Sequence, residues 1–158
     1  MPLRLATEEG KLELFGFGTH LMVDGYQANP SKLDDEELIR QVLDELPREM
    51  SMTKILPPHV SRHQGRTDEE NGITGVVIIA ESHISIQTFP KRSFLSVDVF
   101  SCKGFDAQAA QDWLVQRFEI GRCDSHFINR GKELPRDLAE VDRILSGERE
   151  YIGARIDA

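Results

Sequence analysis

The segment GVVIIAESHISIQTFP, residues 75–90, decides how the rest of the chain is read. A continuous apolar run, residues 76–80, leads straight into Glu81, Ser82 and His83, where a buried strand has to end or turn. A second apolar alternation then begins at Ile84. Strands are therefore expected over residues 74–80 and 84–89, followed by a third over 94–102, where Leu95, Val97 and Val99 alternate with Ser96 and Asp98. Glu81-Ser82-His83 has two readings: the polar tip of a hairpin, or a peptide bond that is itself the functional object. Short hairpins usually carry Gly, Asn or Asp at the tip, and none is present here.

Outward from this core, GFGTHLMVDGYQ suggests a strand centred on residues 20–24, opened by a Gly-Phe-Gly turn. LDDEELIRQVLDELPREM has the pattern of a helix. Asp34 and Glu37 form an N-terminal capping pair, acids crowd the first turn, and Leu38, Ile39, Val42, Leu43 and Leu46 recur on one face. Pro47 is expected to end or kink it. TKILPPHV is a short strand stopped by Pro57-Pro58, and SRHQGRTDEENG an exposed loop. DAQAAQDWLVQRF is a second helix, with Ala110, Trp113, Leu114 and Val115 turned inward or nearly so and Phe118 a turn later. RCDSHFINR is a last strand, and PRDLAEVDRIL a last helix, opened by Pro135 and closed before Gly147. This order of elements implies an α+β two-layer sandwich: a mainly antiparallel sheet with helices packed on one face, in a single domain over residues 1–158.

The net charge of −8 argues against a nucleic-acid partner, because phosphate-backbone binding needs a basic surface. The apolar run at 76–80 is far too short to span a bilayer, so no membrane association is expected. The N-terminal MPLRLATEEGKLELFG lacks the apolar centre of a secretory signal. Cys102 and Cys123 form no CxxC pair, so a reduced, cytoplasmic setting without a disulfide is expected. His59 and His63 are four apart but flanked by Pro57, Pro58 and Gly65, which is a loop rather than a helical metal pair, and no metal is expected. His20 and His126 fall in strands and are read as packed or hydrogen-bonded. The acidic run at 68–70, with Asn71, is read as a solvated loop or as a recognition element for an amine.

A serine hydroxyl can attack the carbonyl carbon of the residue before it, given a constrained turn and a neighbour that removes its proton. An ester replaces the amide, base-assisted elimination splits the chain, and the new N-terminus becomes a pyruvoyl group. Such a ketone condenses with a substrate amine and draws electrons from Cα as CO2 leaves, and a nearby thiol can return a proton.

TGVVIIAESHISIQTFP followed by FLSVDVFSC resembles the bacterial and archaeal S-adenosylmethionine decarboxylases, a pyruvoyl-dependent family that cleaves itself at a Glu-Ser bond. GTHLMVDGY and LIRQVLDE resemble that family's first strand and first helix, so the likeness covers most of residues 18–129. The resemblance implies a two-layer sandwich, oligomers of cleaved chains, and a role in spermidine (polyamine) synthesis. It implies that Ser82 becomes the pyruvoyl cofactor, leaving a β chain of residues 1–81 and an α chain of residues 82–158. It further implies that Cys102 is the proton donor and that Phe89 stacks on the adenine of the substrate.

Three matched positions differ. Gln87 stands where the family has the histidine that drives elimination, and an amide is no base at neutral pH. Thr74 replaces a serine that assists processing and keeps its hydroxyl. Lys91 replaces a glutamate that accepts from ribose hydroxyls, and with Arg92 it would repel a sulfonium substrate. On a regular strand His83 would face away from Ser82 and could not stand in for the base. Three functions follow from these features: a self-processing S-adenosylmethionine decarboxylase, a pyruvoyl-dependent decarboxylase of arginine or ornithine, and an uncleaved, non-catalytic homologue.

Overall fold

The computed structural model describes residues 18–131, which form ten elements. Strand β1 (Gly18–Tyr26) leads into a one-turn helix α1 (Pro30–Leu33) and the longer α2 (Glu36–Glu49). Two short strands follow, β2 (Thr53–Lys54) and β3 (His59–His63). The centre is a meander of β4 (Gly72–Ala80), β5 (Ser82–Phe89) and β6 (Phe94–Ser101). Helix α3 (Ala107–Phe118) and β7 (Arg122–Arg130) complete it. The strands form one sheet in the order β2-β4-β5-β6-β1-β7, with β3 beside the first half of β4, and every pairing is antiparallel. This is the α+β arrangement that the order of elements implied.

Alternation assigns the faces of the sheet. Leu95, Val97 and Val99 of β6 are buried, as are Leu21 and Val23 of β1, Ile73, Val77 and Ile79 of β4, and Ile84 and Ile86 of β5. Ile39, Val42, Leu43 and Leu46 of α2 have no exposed surface, and each buried side chain of this size contributes roughly 1.5–3 kcal/mol. Gly75 allows α2 close to β4, because a Cβ there would lie 2.5 Å from Leu43 Cδ1. Ala110, Leu114 and Phe118 anchor α3 on the same face. Thr88, wholly buried, ties α1 to the sheet: its hydroxyl donates to the Leu33 carbonyl at 2.8 Å and accepts from the Ile73 N–H at 3.1 Å. The opposite face carries no helix among the described residues, and there Val76, Ile78 and Ile128 are 37%, 44% and 46% exposed.

Four local expectations are corrected. The cap of α2 is Asp35, whose carboxylate accepts from the Leu38 N–H at 3.0 Å; Asp34 closes α1 instead and pairs with Arg62. Pro47 does not end α2, because it falls in the last turn, where few backbone bonds depend on its missing N–H, and the helix runs on to Glu49. The loop expected from Ser61 is a strand as far as His63, paired with residues 72–76 of β4. Pro57-Pro58 only separates β2 from β3 along one edge. Strand β5 begins at Ser82 rather than at residue 84. The expected helix after Pro135 lies outside the described residues.

Candidate active site

Ile79 pairs directly with Ser82 across β4 and β5, so Ala80 and Glu81 form the whole turn. Without glycine or asparagine at the tip, the unusual backbone geometry falls on Ser82, whose φ is 126°. Side chains clash with the backbone there, and such a residue costs about 1–3 kcal/mol to hold. The strain therefore sits at the residue that supplies the nitrogen of the Glu81–Ser82 peptide bond.

This geometry also corrects the expectation for His83. On a regular strand the two side chains would diverge, but the positive φ breaks the alternation, and Ser82 Oγ lies 3.3 Å from His83 Nδ1. The ring is steadied edge-on against Phe100, with centroids 6.0 Å apart. In the tautomer with Nδ1 unprotonated, the His83 ring can accept a hydrogen bond from the serine hydroxyl.

The other side of the bond is held by β6. Ser101 is the cross-strand partner of Ser82, and the next residue, Cys102, donates its backbone N–H to the Glu81 carbonyl oxygen at 3.2 Å. A donor at that oxygen polarises the carbonyl and stabilises negative charge that develops on it. Cys102 itself is 8% exposed and unpaired. Glu81, Ser82, His83 and Cys102 are thus brought together by two neighbouring strand ends.

The other expected site residues lie elsewhere in the chain. Thr74 and Gln87 face each other across β4 and β5, on the side away from the helices. Gln87 is five residues beyond Ser82, about 16 Å along an extended strand. Phe89 ends β5, about 23 Å from Ser82 by the same measure. Its ring stacks on Phe94 at 5.9 Å, and Phe94 in turn meets Tyr26 at 5.2 Å. Lys91 is exposed in the short turn Pro90–Arg92, and the acidic turn Asp68–Glu70 lies nearby, with Glu69 3.8 Å from Arg92.

At this far end a cavity of about 820 Å³ opens between Tyr26, Asn29, Arg92, Ser93, Glu119 and Arg122. Arg122 covers the Tyr26 ring at 4.0 Å. A 2.6 Å hydrogen bond from Asn29, with help from Lys32 at 3.1 Å, holds the Glu119 carboxyl below its ordinary range. Sequence reading missed Glu119, because it sits in a left-handed conformation just past α3 (φ 51°), outside any periodic pattern.

Among the remaining candidates, His20 Nε2 meets Asp98 at 2.9 Å, and His126 lies 4.0 Å from Asp124. His63 Nε2 pairs with the Glu70 carbonyl at 3.0 Å. Among the described residues no three His, Cys, Asp or Glu side chains gather as a metal site, and no helix is long and apolar enough to cross a membrane. Burial raises the pKa of Cys123, with Asp124, Asp24 and Asp112 adding to the effect.

A sequence profile described as S-adenosylmethionine decarboxylase matches residues 19–131. A protein of Hydrogenobaculum sp. named S-adenosylmethionine decarboxylase proenzyme is 36% identical over 115 residues, 72% of this chain and 81% of that protein. The Aquifex aeolicus proenzyme of the same name is 35% identical over the same shares. The crystal structure of the adenosylmethionine decarboxylase from Aquifex aeolicus superposes with a TM-score of 0.63 at 34% identity, covering 73% of this chain and 92% of that one.

Proposed function

The chain belongs to the S-adenosylmethionine decarboxylase family, and from that premise we propose that it cuts itself between Glu81 and Ser82 and then decarboxylates S-adenosylmethionine, supplying spermidine synthesis in the cytoplasm. The observation that carries this reading is the strained Ser82, φ 126°, beside a carbonyl already held by the Cys102 N–H.

Ser82 Oγ attacks the Glu81 carbonyl carbon while its proton passes to His83 Nδ1, 3.3 Å away. Negative charge builds on the Glu81 oxygen, where the Cys102 N–H receives it. The C–N bond breaks, the freed nitrogen takes a proton, and an ester joins the two halves. Removal of the Ser82 Cα proton then expels the Glu81 carboxylate, and water displaces ammonia at the new terminus. Gln87 cannot remove that proton, whereas the His83 imidazole is next to it in the chain.

The residues fit a pyruvoyl group at position 82, because the geometry prepares the bond that must break to form it. Such a group supplies the electron sink for loss of CO2. The Cys102 thiol, on the adjoining strand end, returns a proton to the substrate Cα.

The separation of Phe89 from Ser82 supports a homo-oligomer. A site that contains both the serine and the adenine-stacking ring needs two copies, face to face with strands reversed. The exposed Val76 and Ile78 lie on the face that this packing would cover. Thr74 and Gln87 of a second copy would then approach Ser82, and the aromatic strip from Phe89 to Tyr26 would border its pocket.

A second reading, decarboxylation of arginine or ornithine, draws on Lys91 and on the acidic Asp68–Glu70 turn placed beside it. Release of labelled CO2 from the three candidate substrates, measured side by side, separates the readings, and S-adenosylmethionine is expected to be the one consumed. Intact-mass analysis of freshly purified protein tests the processing step itself. Two fragments meeting at Glu81 and position 82 are expected; an unbroken chain would leave only the non-catalytic homologue.

A further inference from the structure

A row of paired polar residues crosses the sheet at the level of the cleavage bond. Ser82 pairs with Ser101, Ser101 with Thr19, and Thr19 with Asn129. At about 4.8 Å per strand the row runs from the processing serine to the edge strand β7. Thr19 and Ser101 are each 1% exposed, and this is the face that packs against the helices. Ser101 Oγ accepts from the Lys103 N–H at 3.0 Å, which leaves its own proton free to donate. Thr19 Oγ1 and Asn129 Oδ1 are fully buried, and neither has a hydrogen-bond partner among the described residues. Thr88, the other buried threonine, is fully bonded, so an orphaned hydroxyl is not a general property of this core.

We propose that Thr19 and Asn129 bind an ordered water molecule, and that this water fixes the start of β1 against the Ser101–Cys102 segment, making Thr19 a positioning residue for cleavage. A water suits the site because Asn129 Oδ1 needs a donor, Thr19 Oγ1 needs a donor or an acceptor, and the Ser101 hydroxyl faces the same level. One molecule with two donors and two acceptors satisfies all three. The mechanical link to the bond is short. A Cβ built on Gly18 would lie 3.0 Å from the Ser101 carbonyl oxygen and 3.4 Å from Cys102 Cα, so β1 bears directly on the segment whose N–H grips Glu81. A shift at Thr19 is passed to that N–H.

The proposal rests on Glu81–Ser82 being the processing bond, and its test separates the two. A crystal structure of the full chain is expected to show a water within hydrogen-bonding distance of both Thr19 Oγ1 and Asn129 Oδ1. A direct bond between the two side chains, or a dry site, overturns the water. Thr19→Val keeps the shape and removes the hydroxyl, and it is expected to lengthen the half-time of cleavage at least fivefold. Thr19→Ser, which restores the hydroxyl, is expected to stay within twofold of the unsubstituted chain. Equal rates for valine and serine overturn the positioning role. If Thr19→Val does not fold, Asn129→Leu carries the same comparison from the other side of the water. Should the unsubstituted chain stay uncut, the processing reading and the positioning role fail together, and the electron density alone decides the water.

Discussion

On the proposed reading Ser82 has two neighbours that divide the chemistry between them. In the proposed scheme Cys102 contributes its backbone N–H to cleavage and its thiol to turnover, and these can be separated by substitution. Cys102→Ala keeps the N–H at the Glu81 carbonyl, so it is expected to leave cleavage within a few-fold of normal and to abolish most CO2 release. His83→Ala removes the imidazole 3.3 Å from Ser82 Oγ and is expected to slow cleavage about a hundredfold, at the lower end of what a positioned base supplies. Both are read by following fragment formation on denaturing gels and CO2 release on the same samples; unaltered cleavage in His83→Ala would remove the imidazole from the scheme. Ser82 and Cys102 stood out in the sequence because their spacing and flanks carried the resemblance, and the fold sets them on adjoining strand ends. His83 did not, because its contact depends on one backbone angle that no side-chain pattern encodes.

The elements divide in the same way. Helix α2 could be read directly, since Ile39, Val42, Leu43 and Leu46 repeat at helical spacing and all are buried. Its cap was misplaced by one residue, because Asp34 and Asp35 are adjacent acids and only Asp34 has a glutamate, Glu37, three residues on; α1, ending at Leu33, takes the first and leaves the second. Asp35→Ala should therefore cost about 1 kcal/mol in urea unfolding of the described fold, as the loss of a cap does, and Asp34→Ala, an exposed partner of Arg62, clearly less. Gly75→Val should cost more, about 1–3 kcal/mol, because it forces α2 away from β4. Reversed ranks would mean that the cap and the helix–sheet contact are misassigned. Strand β3 escaped sequence reading because Ser61, Arg62 and His63 are polar. It pairs through its backbone along the edge of β4, where only Val60 is buried.

At the scale of the molecule, the sheet face that no helix covers among the described residues and the distance from Ser82 to Phe89 both bear on the proposed dimer. Sedimentation of the intact protein is expected to show a dimer, and Ile78→Glu, a charge placed on a side chain 44% exposed in one chain, should shift it toward monomer and reduce CO2 release with it. A monomeric, fully active Ile78→Glu protein would contradict a shared site. The two-layer class was legible from the order of elements, whereas the splitting of the expected site residues between two ends of β5 was not. Sequence distance from Ser82 to Phe89 is small, and only an extended strand turns it into a large separation in space.

The strand order has a consequence for what a cut at Glu81 does to the protein. Strands β1 to β4 lie before that bond and β5 to β7 after it, yet β1 is held between β6 and β7. The severed pieces are thus interleaved, and neither can leave without tearing ladders on both flanks. The break would pass unnoticed under native conditions and let the two pieces part under denaturing ones. A single chain can regain its shape alone, while two pieces must first find each other, so recovery after unfolding would become bimolecular and fall off with dilution.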